Sequence, residues 1–153
     1  MILGLISDTH GLLREGALHE LQGAGLIIHA GDVGNREILE ALRKIAPVVA
    51  VRGNVDVEEW AEELPVTAMA EAGGAKIYVL HDVNALDVDP AASRFDVVVS
   101  GHSHRPGQKE RDGVLYVNPG SAGPRRFQLP ICMARLDLDR KPWKVEFVDL
   151  SEG

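Results

Sequence analysis

The sequence predicts one α/β domain over residues 1–153, built on two β-sheets, and three observations carry that reading. Residues 1–51 alternate short apolar runs with amphipathic stretches, the rhythm of parallel strands joined by helical crossovers. From residue 66 onward the apolar runs come mostly in pairs around tight turns, the rhythm of hairpins. The central runs stop at an Asp, Asn or His beside a glycine or another polar residue. At 153 residues, 45% of them hydrophobic, the chain can bury one core and gives no case for a second domain.

Ile2-Leu3-Gly4-Leu5-Ile6 is too short for a helix and fits a strand buried on both faces, ending in Ser7-Asp8-Thr9-His10-Gly11. Glu15 to Gly23 carries Ala17, Leu18 and Leu21 at helical spacing and stops at a glycine. Leu26-Ile27-Ile28-His29 is a second strand, running into Ala30-Gly31-Asp32. Asn35 caps a helix with Ile38, Leu39, Leu42 and Ile45 on its apolar face, and Pro47 ends it. Val48-Val49-Ala50-Val51 is a third strand, ending in Arg52-Gly53-Asn54-Val55-Asp56. Val66–Glu71 and Lys76–His81 form a hairpin around Gly73-Gly74. Asp89-Pro90 opens a short helical turn, and Asp96 to Ser100 is a buried strand that ends in Gly101-His102-Ser103-His104. Asp112-Gly113 turns the chain into Val114–Val117, which runs into Asn118-Pro119-Gly120-Ser121. Ile131–Leu138 and Trp143–Leu150 close the chain as an antiparallel pair. The expected picture puts the early parallel strands in one sheet and the late hairpins in the other.

Composition excludes several function classes. With 16 basic against 23 acidic residues, the net charge of −7 argues against broad binding to nucleic acid or an anionic membrane. No apolar stretch approaches the roughly 20 residues a membrane span needs. The first residues lack a basic segment and a cleavage site, so a cytoplasmic location is expected. The lone Cys132 sits in a strand pattern and reads as a buried core thiol.

Side by side, the strand ends present Asp8, His10, Asp32, Asn54, His81, His102 and His104, in a chain with six histidines. One buried histidine is most often a hydrogen-bonded core residue; a ligand-type residue at every central strand end is not explained that way. Hard oxygen mixed with imidazole, without thiolate, suits Mn²⁺, Fe²⁺, Ni²⁺ or Zn²⁺. Seven ligands are too many for one tetrahedral ion and suit two ions sharing a carboxylate. Such a pair clamps both oxygens of an in-line phosphoryl displacement and makes a bridging hydroxide near neutrality, so a phosphate ester is the natural guest.

Asp8-x-His10, Gly31-Asp32, Gly53-Asn54-x-Asp56, His81 and Gly101-His102-x-His104, in that order, resemble the calcineurin-like metallophosphoesterase superfamily, and in particular its small bacterial and archaeal phosphodiesterase branch. The resemblance spans Ile2 to about Arg126. It implies a sandwich of two sheets flanked by helices, the αββα four-layer architecture, with a dinuclear centre of two divalent ions, Mn²⁺ first. It gives one ion to Asp8, His10, Asp32 and His104, and the other to Asp32, Asn54, His81 and His102. Asp32, Asn54, Asp56 and His102 are the expected catalytic residues, and Asn54 with Arg125 the expected substrate contacts. The implied activity is a phosphodiesterase acting on a small diester, with nucleic acid only as a substrate and self-association left open. The alternative is a non-catalytic scaffold, the role taken by a retromer subunit of this fold; a third reading is a metal-binding regulator without turnover. The intact ligand set favours chemistry.

Two positions depart from the pattern. Val55 stands where many members carry a histidine that protonates the leaving oxygen, so activated aryl phosphodiesters are expected to react faster than alkyl phosphomonoesters. Asp82 replaces the usual glycine after the metal-binding histidine. His29 reads as a supporting or core residue, His19 as a surface residue, and Trp60 and Phe127-Gln128-Leu129-Pro130 as ordinary packing first, with a cover over the site or a subunit contact as the alternative.

Overall fold

The structure, a computed structural model, describes residues 1–151. Its strands are β1 (Ile2–Ile6), β2 (Leu26–His29), β3 (Val48–Ala50), β4 (Thr67–Ala72), β5 (Ala75–Leu80), β6 (Val97–Val99), β7 (Gly107–Arg111), β8 (Val114–Asn118), β9 (Cys132–Asp137) and β10 (Lys144–Asp149). Helix α1 covers Glu15–Glu20 and α2 covers Arg36–Arg43, the latter capped by Asn35 Oδ1, which accepts the Ile38 N–H at 3.2 Å. Short 3₁₀ turns span Glu59–Glu63 and Val83–Ala85.

Two five-stranded sheets form, in the orders β10-β9-β1-β2-β3 and β4-β5-β6-β8-β7. The pairs β1/β2, β2/β3, β5/β6 and β6/β8 are parallel. The closing hairpin corrects the expected division of strands: β9 pairs antiparallel with β1, so the last two strands complete the first sheet. Chain order cannot reveal this, because β1 needs a partner on its second edge and any late apolar strand can supply it.

Side-chain alternation builds the layers. Leu3, Leu5, Ile28, Ile77, Val79, Val97, Val99, Ala134 and Leu136 fill the space between the sheets. Ile6, Ile27 and Met133 point the other way, onto Ala17 of α1, Leu21 at its C-terminal cap, and Ile38, Leu39 and Leu42 of α2. The outer face of the second sheet, with Tyr78, Leu80 and Val98, is covered by Phe95, Leu86 and Val88 from segment 83–95. The sandwich therefore has a helical layer on the first sheet, while the corresponding layer on the second holds one 3₁₀ turn and no α-helix among the described residues. Strand β7 carries no apolar pattern because all five of its residues are exposed. No helix among the described residues is long and apolar enough to cross a membrane. The carboxyl ends of the parallel strands of both sheets supply the polar residues that converge on one spot.

Candidate metal centre

Asp8 and His10 follow β1, Asp32 follows β2, His81 follows β5, and His102 and His104 follow β6. Their ligand-type atoms fall into two groups, Asp8 with His10 and His104, and Asp32 with His81 and His102, the atoms of each lying within 4.8 Å of one another. The groups touch. Asp32 Oδ2 stands 3.1 Å from His81 Nε2 and 3.7 Å from His10 Nε2, and Asp8 Oδ1 stands 3.4 Å from His104 Nε2 and 3.8 Å from His81 Nε2.

The backbone is strained here. Asp8, His10, Asp32, His102 and His104 all have φ between 47° and 70°, the left-handed region that costs an L-residue on the order of 1 kcal/mol or more. Arg94, Asp112 and Phe127 share this conformation elsewhere in turns, but the cluster gathers five such residues in one place, as expected where a site is built at stability's expense. Two glycines make room rather than turns: a Cβ on Gly53 would fall on the Asp32 carboxylate, and one on Gly101 on Ser7 Oγ.

A supporting set of hydrogen bonds orients the cluster. Ser7 Oγ donates to Asp8 Oδ2 at 2.6 Å, and the His102 N–H donates to the same oxygen at 3.0 Å. The Val55 N–H donates to Asp32 Oδ1 at 3.0 Å. His81 Nδ1 donates to the Ala30 carbonyl at 2.7 Å, which turns Nε2 toward Asp32. Behind them His29 is fully buried: the Gly31 N–H donates to its Nδ1, its Nε2 donates to Thr9 Oγ1, and that hydroxyl donates to the Val33 carbonyl. Burial therefore pushes the His29 pKa down to about 4. None of Ser7, Thr9 and Ser121, whose Oγ donates to the Asp8 carbonyl, is marked by sequence pattern; their only signal is proximity to Asp8 in sequence or the turn after β8.

Charge in the cluster is unbalanced in a telling way. Burial raises the Asp8 pKa, but the His10 and His104 imidazoles and the Ser7 hydroxyl outweigh it and hold the group far below the carboxylate range. Burial raises Asp32 as well, and His81 and the Val55 N–H bring it below normal. Burial lowers His81, yet Asp32 and Asp8 leave it raised overall. Asp8 Oδ1, His10 Nε2, His81 Nε2 and His104 Nδ1 are buried without a hydrogen-bond partner. Buried atoms of this kind are rarely left unsatisfied. Cations among them would satisfy the carboxylate and imidazole lone pairs together, and this donor set fits borderline divalent ions.

The other expected residues stand outside these two groups. Asp56 is buried, and its carboxylate accepts the N–H groups of Val33, Gly34 and Gly53 at 3.0 to 3.1 Å, so it clamps the loops after β2 and β3 together. Asn54 is exposed between Gly53 and Val55. Arg125 is exposed and acts on Asp149, whose carboxyl is held down first by Ser151 and then by this arginine. Asn118 donates to the Gly101 carbonyl and to Ser103 Oγ and accepts the Gly120 N–H, bracing the His102–His104 loop. Asp82 Oδ2 stands 3.8 Å from His102 Nε2. Phe127 is 91% exposed, contrary to the packing expected of it, while Trp60 packs on the helical layer. Cys132 is buried and free, its thiol pushed up to about 11 by burial.

Residues 1–141 match the family model for the calcineurin-like phosphoesterase superfamily domain. A protein of Methanocaldococcus jannaschii named as a probable metallophosphoesterase is 38% identical over 138 residues, covering 79% of this chain and 68% of that one. An archaeal phosphodiesterase of solved structure superposes with a TM-score of 0.81 at 25% identity, covering 97% of this chain and all of that one. Vps29 of Chaetomium thermophilum superposes at 0.78 with 21% identity over 97% and 95% of the two chains, a likeness of fold.

Proposed function

The chain belongs to the calcineurin-like phosphoesterase superfamily, and from that premise we propose that it is a metal-dependent phosphodiesterase with a dinuclear centre. Asp8, His10 and His104 would hold one divalent ion, and His81 and His102 the other, following the two groups that the fold brings together; Asp32 would serve both, and Asn54, exposed on the loop after β3, would complete the second. The observation that carries this is Asp32 Oδ2, which stands 3.7 Å from His10 Nε2 and 3.1 Å from His81 Nε2, two buried ring nitrogens without a hydrogen-bond partner. Two divalent ions, when bound, lower the pKa of a shared water and neutralise the oxygens of the phosphoryl group. The chain's own part is orientation: Ser7 and the His102 N–H fix Asp8, Val55 fixes Asp32, and the Ala30 carbonyl fixes His81. Mn²⁺ is the ion we propose first.

Val55 shapes the substrate range. Its side chain transfers no proton, so a good leaving group is needed, and activated aryl diesters should outrun alkyl monoesters by about 10² or more. The test is hydrolysis of a bis-aryl phosphodiester by metal-stripped protein with Mn²⁺, Mg²⁺, Zn²⁺ or Ni²⁺ restored in turn, beside His104→Ala. Metal-dependent turnover that the variant loses is the expected result. Folded protein inert with every ion would turn the assignment to the scaffold reading.

A further inference from the structure

A cavity of about 370 Å³ opens beside the 101–104 loop that carries His102 and His104, with Asn118, whose Nδ2 donates to the Gly101 carbonyl, in its wall. Ser103, which lies in the chain between His102 and His104, lines it, as does Val83, two residues beyond His81. Half-buried Tyr116 and exposed Gln108 come from the β7–β8 hairpin. Arg105 and Lys109 bring two cations, with Lys109 Nζ 5.9 Å from the centroid of the Tyr116 ring. None of the ten lining residues is acidic, in a chain with 23 acidic residues. Ser103 Oγ already accepts from Asn118 Nδ2 at 3.1 Å and from the Arg105 N–H at 3.2 Å, which leaves its hydroxyl proton to donate. An aromatic face, two cations and a hydroxyl donor suit a planar neutral ring joined to an anionic group such as a phosphate.

The leaving group gives an independent constraint. On the loop beside Asp32, Val55 supplies the centre with its backbone N–H, and its side chain has no proton to give. Without a positioned acid the departing oxygen must be stable as an anion. An alkoxide is not; a phosphate leaving from a phosphoanhydride is, and Arg105 and Lys109 supply the cavity with two cations for an anionic group.

We infer that this phosphoesterase acts on nucleoside diphosphate esters, with the departing nucleoside monophosphate seated in the cavity against Tyr116. The inference rests on the hydrolase reading above. Water adds its oxygen to the attacked phosphorus, and the bridging P–O bond breaks with its electron pair on the bridging oxygen. Two phosphomonoesters result, and the water's protons pass to solvent.

The test compares ADP-ribose, a dinucleoside monophosphate and a bis-aryl phosphodiester as substrates of the metal-loaded full chain. ADP-ribose should exceed the dinucleoside monophosphate in kcat/KM by at least about 100-fold. Lys109→Ala should cost ADP-ribose about tenfold more than it costs the bis-aryl diester. Equal rates on the two nucleotide substrates, or an equal effect of Lys109→Ala on ADP-ribose and the aryl ester, overturns the inference and leaves the hydrolase reading standing. If no ester is cut, the hydrolase reading fails by itself and the substrate inference with it. Titration with AMP, followed at the amides of residues 107–109 and 116–118, then judges the pocket: shifts abolished in Lys109→Glu support a nucleotide site, and unmoved amides refute it.

Discussion

Asp56 holds the loop after β2 to the loop after β3 through three backbone N–H groups. Asp56→Ala would leave those buried donors bare, a loss on the order of 3 kcal/mol, and the melting temperature should fall by roughly 6 to 12 °C. A variant that melts like wild type but lacks activity would instead make Asp56 a chemical group. His29 gives a pH prediction. Its folded pKa, about 4, lies below the unfolded value of 6.5, so the unfolded chain binds more protons between those values. Stability should thus fall as pH drops from 6.5 toward 4, by on the order of 3 kcal/mol from this group. Urea unfolding of wild type and His29→Gln across that window checks it, the expected outcome being a flatter profile in the variant. The presence of His29 and Asp56 at strand ends is legible in the sequence. Their partners are not, since Val33 and Asp56 are 23 residues apart and no local pattern links them.

At the scale of elements, the polar loops work because the strands before them bring them into contact. Gly101 follows β6 and lies against Ser7 and Asp8, which follow β1 of the other sheet. An added methyl there would displace the Ser7 hydroxyl and the carboxylate it orients. Gly101→Ala should weaken Mn²⁺ binding by about tenfold or more in calorimetry, the usual effect of losing a group that orients a ligand. Unchanged affinity would mean that the loop yields without disturbing Asp8. Strand periods, the Asn35 cap and the turns at Gly73-Gly74 and Asp112-Gly113 are all readable locally, since each depends on residues a few positions apart. Strand β7 and the cover over the second sheet are not: an exposed edge strand needs no apolar alternation, and a loop can shield Tyr78 and Leu80 as well as a helix can.

For the whole molecule, the candidate centre joins the two sheets. Asp8, His10 and Asp32 come from one and His81, His102 and His104 from the other, so ion binding should stabilise the sandwich as a unit. At a concentration 100 times the dissociation constant the gain is about 2.7 kcal/mol, which Mn²⁺ titration against thermal unfolding would register and a chelator reverse. A melting point indifferent to every divalent ion would count against the centre. The sequence by itself determined the two-sheet α/β class, the order of the strands and the recurrence of Asp, Asn and His at their ends. Those properties live in short windows, where period, caps and turn residues act. Only the tertiary structure decided that β9 and β10 complete the first sheet. It also turned Asp56 inward onto backbone donors and placed the cavity of Tyr116 and Lys109 beside His102. These depend on which distant segments pair and pack, and that is settled by burying apolar faces and satisfying buried polar atoms across the whole chain.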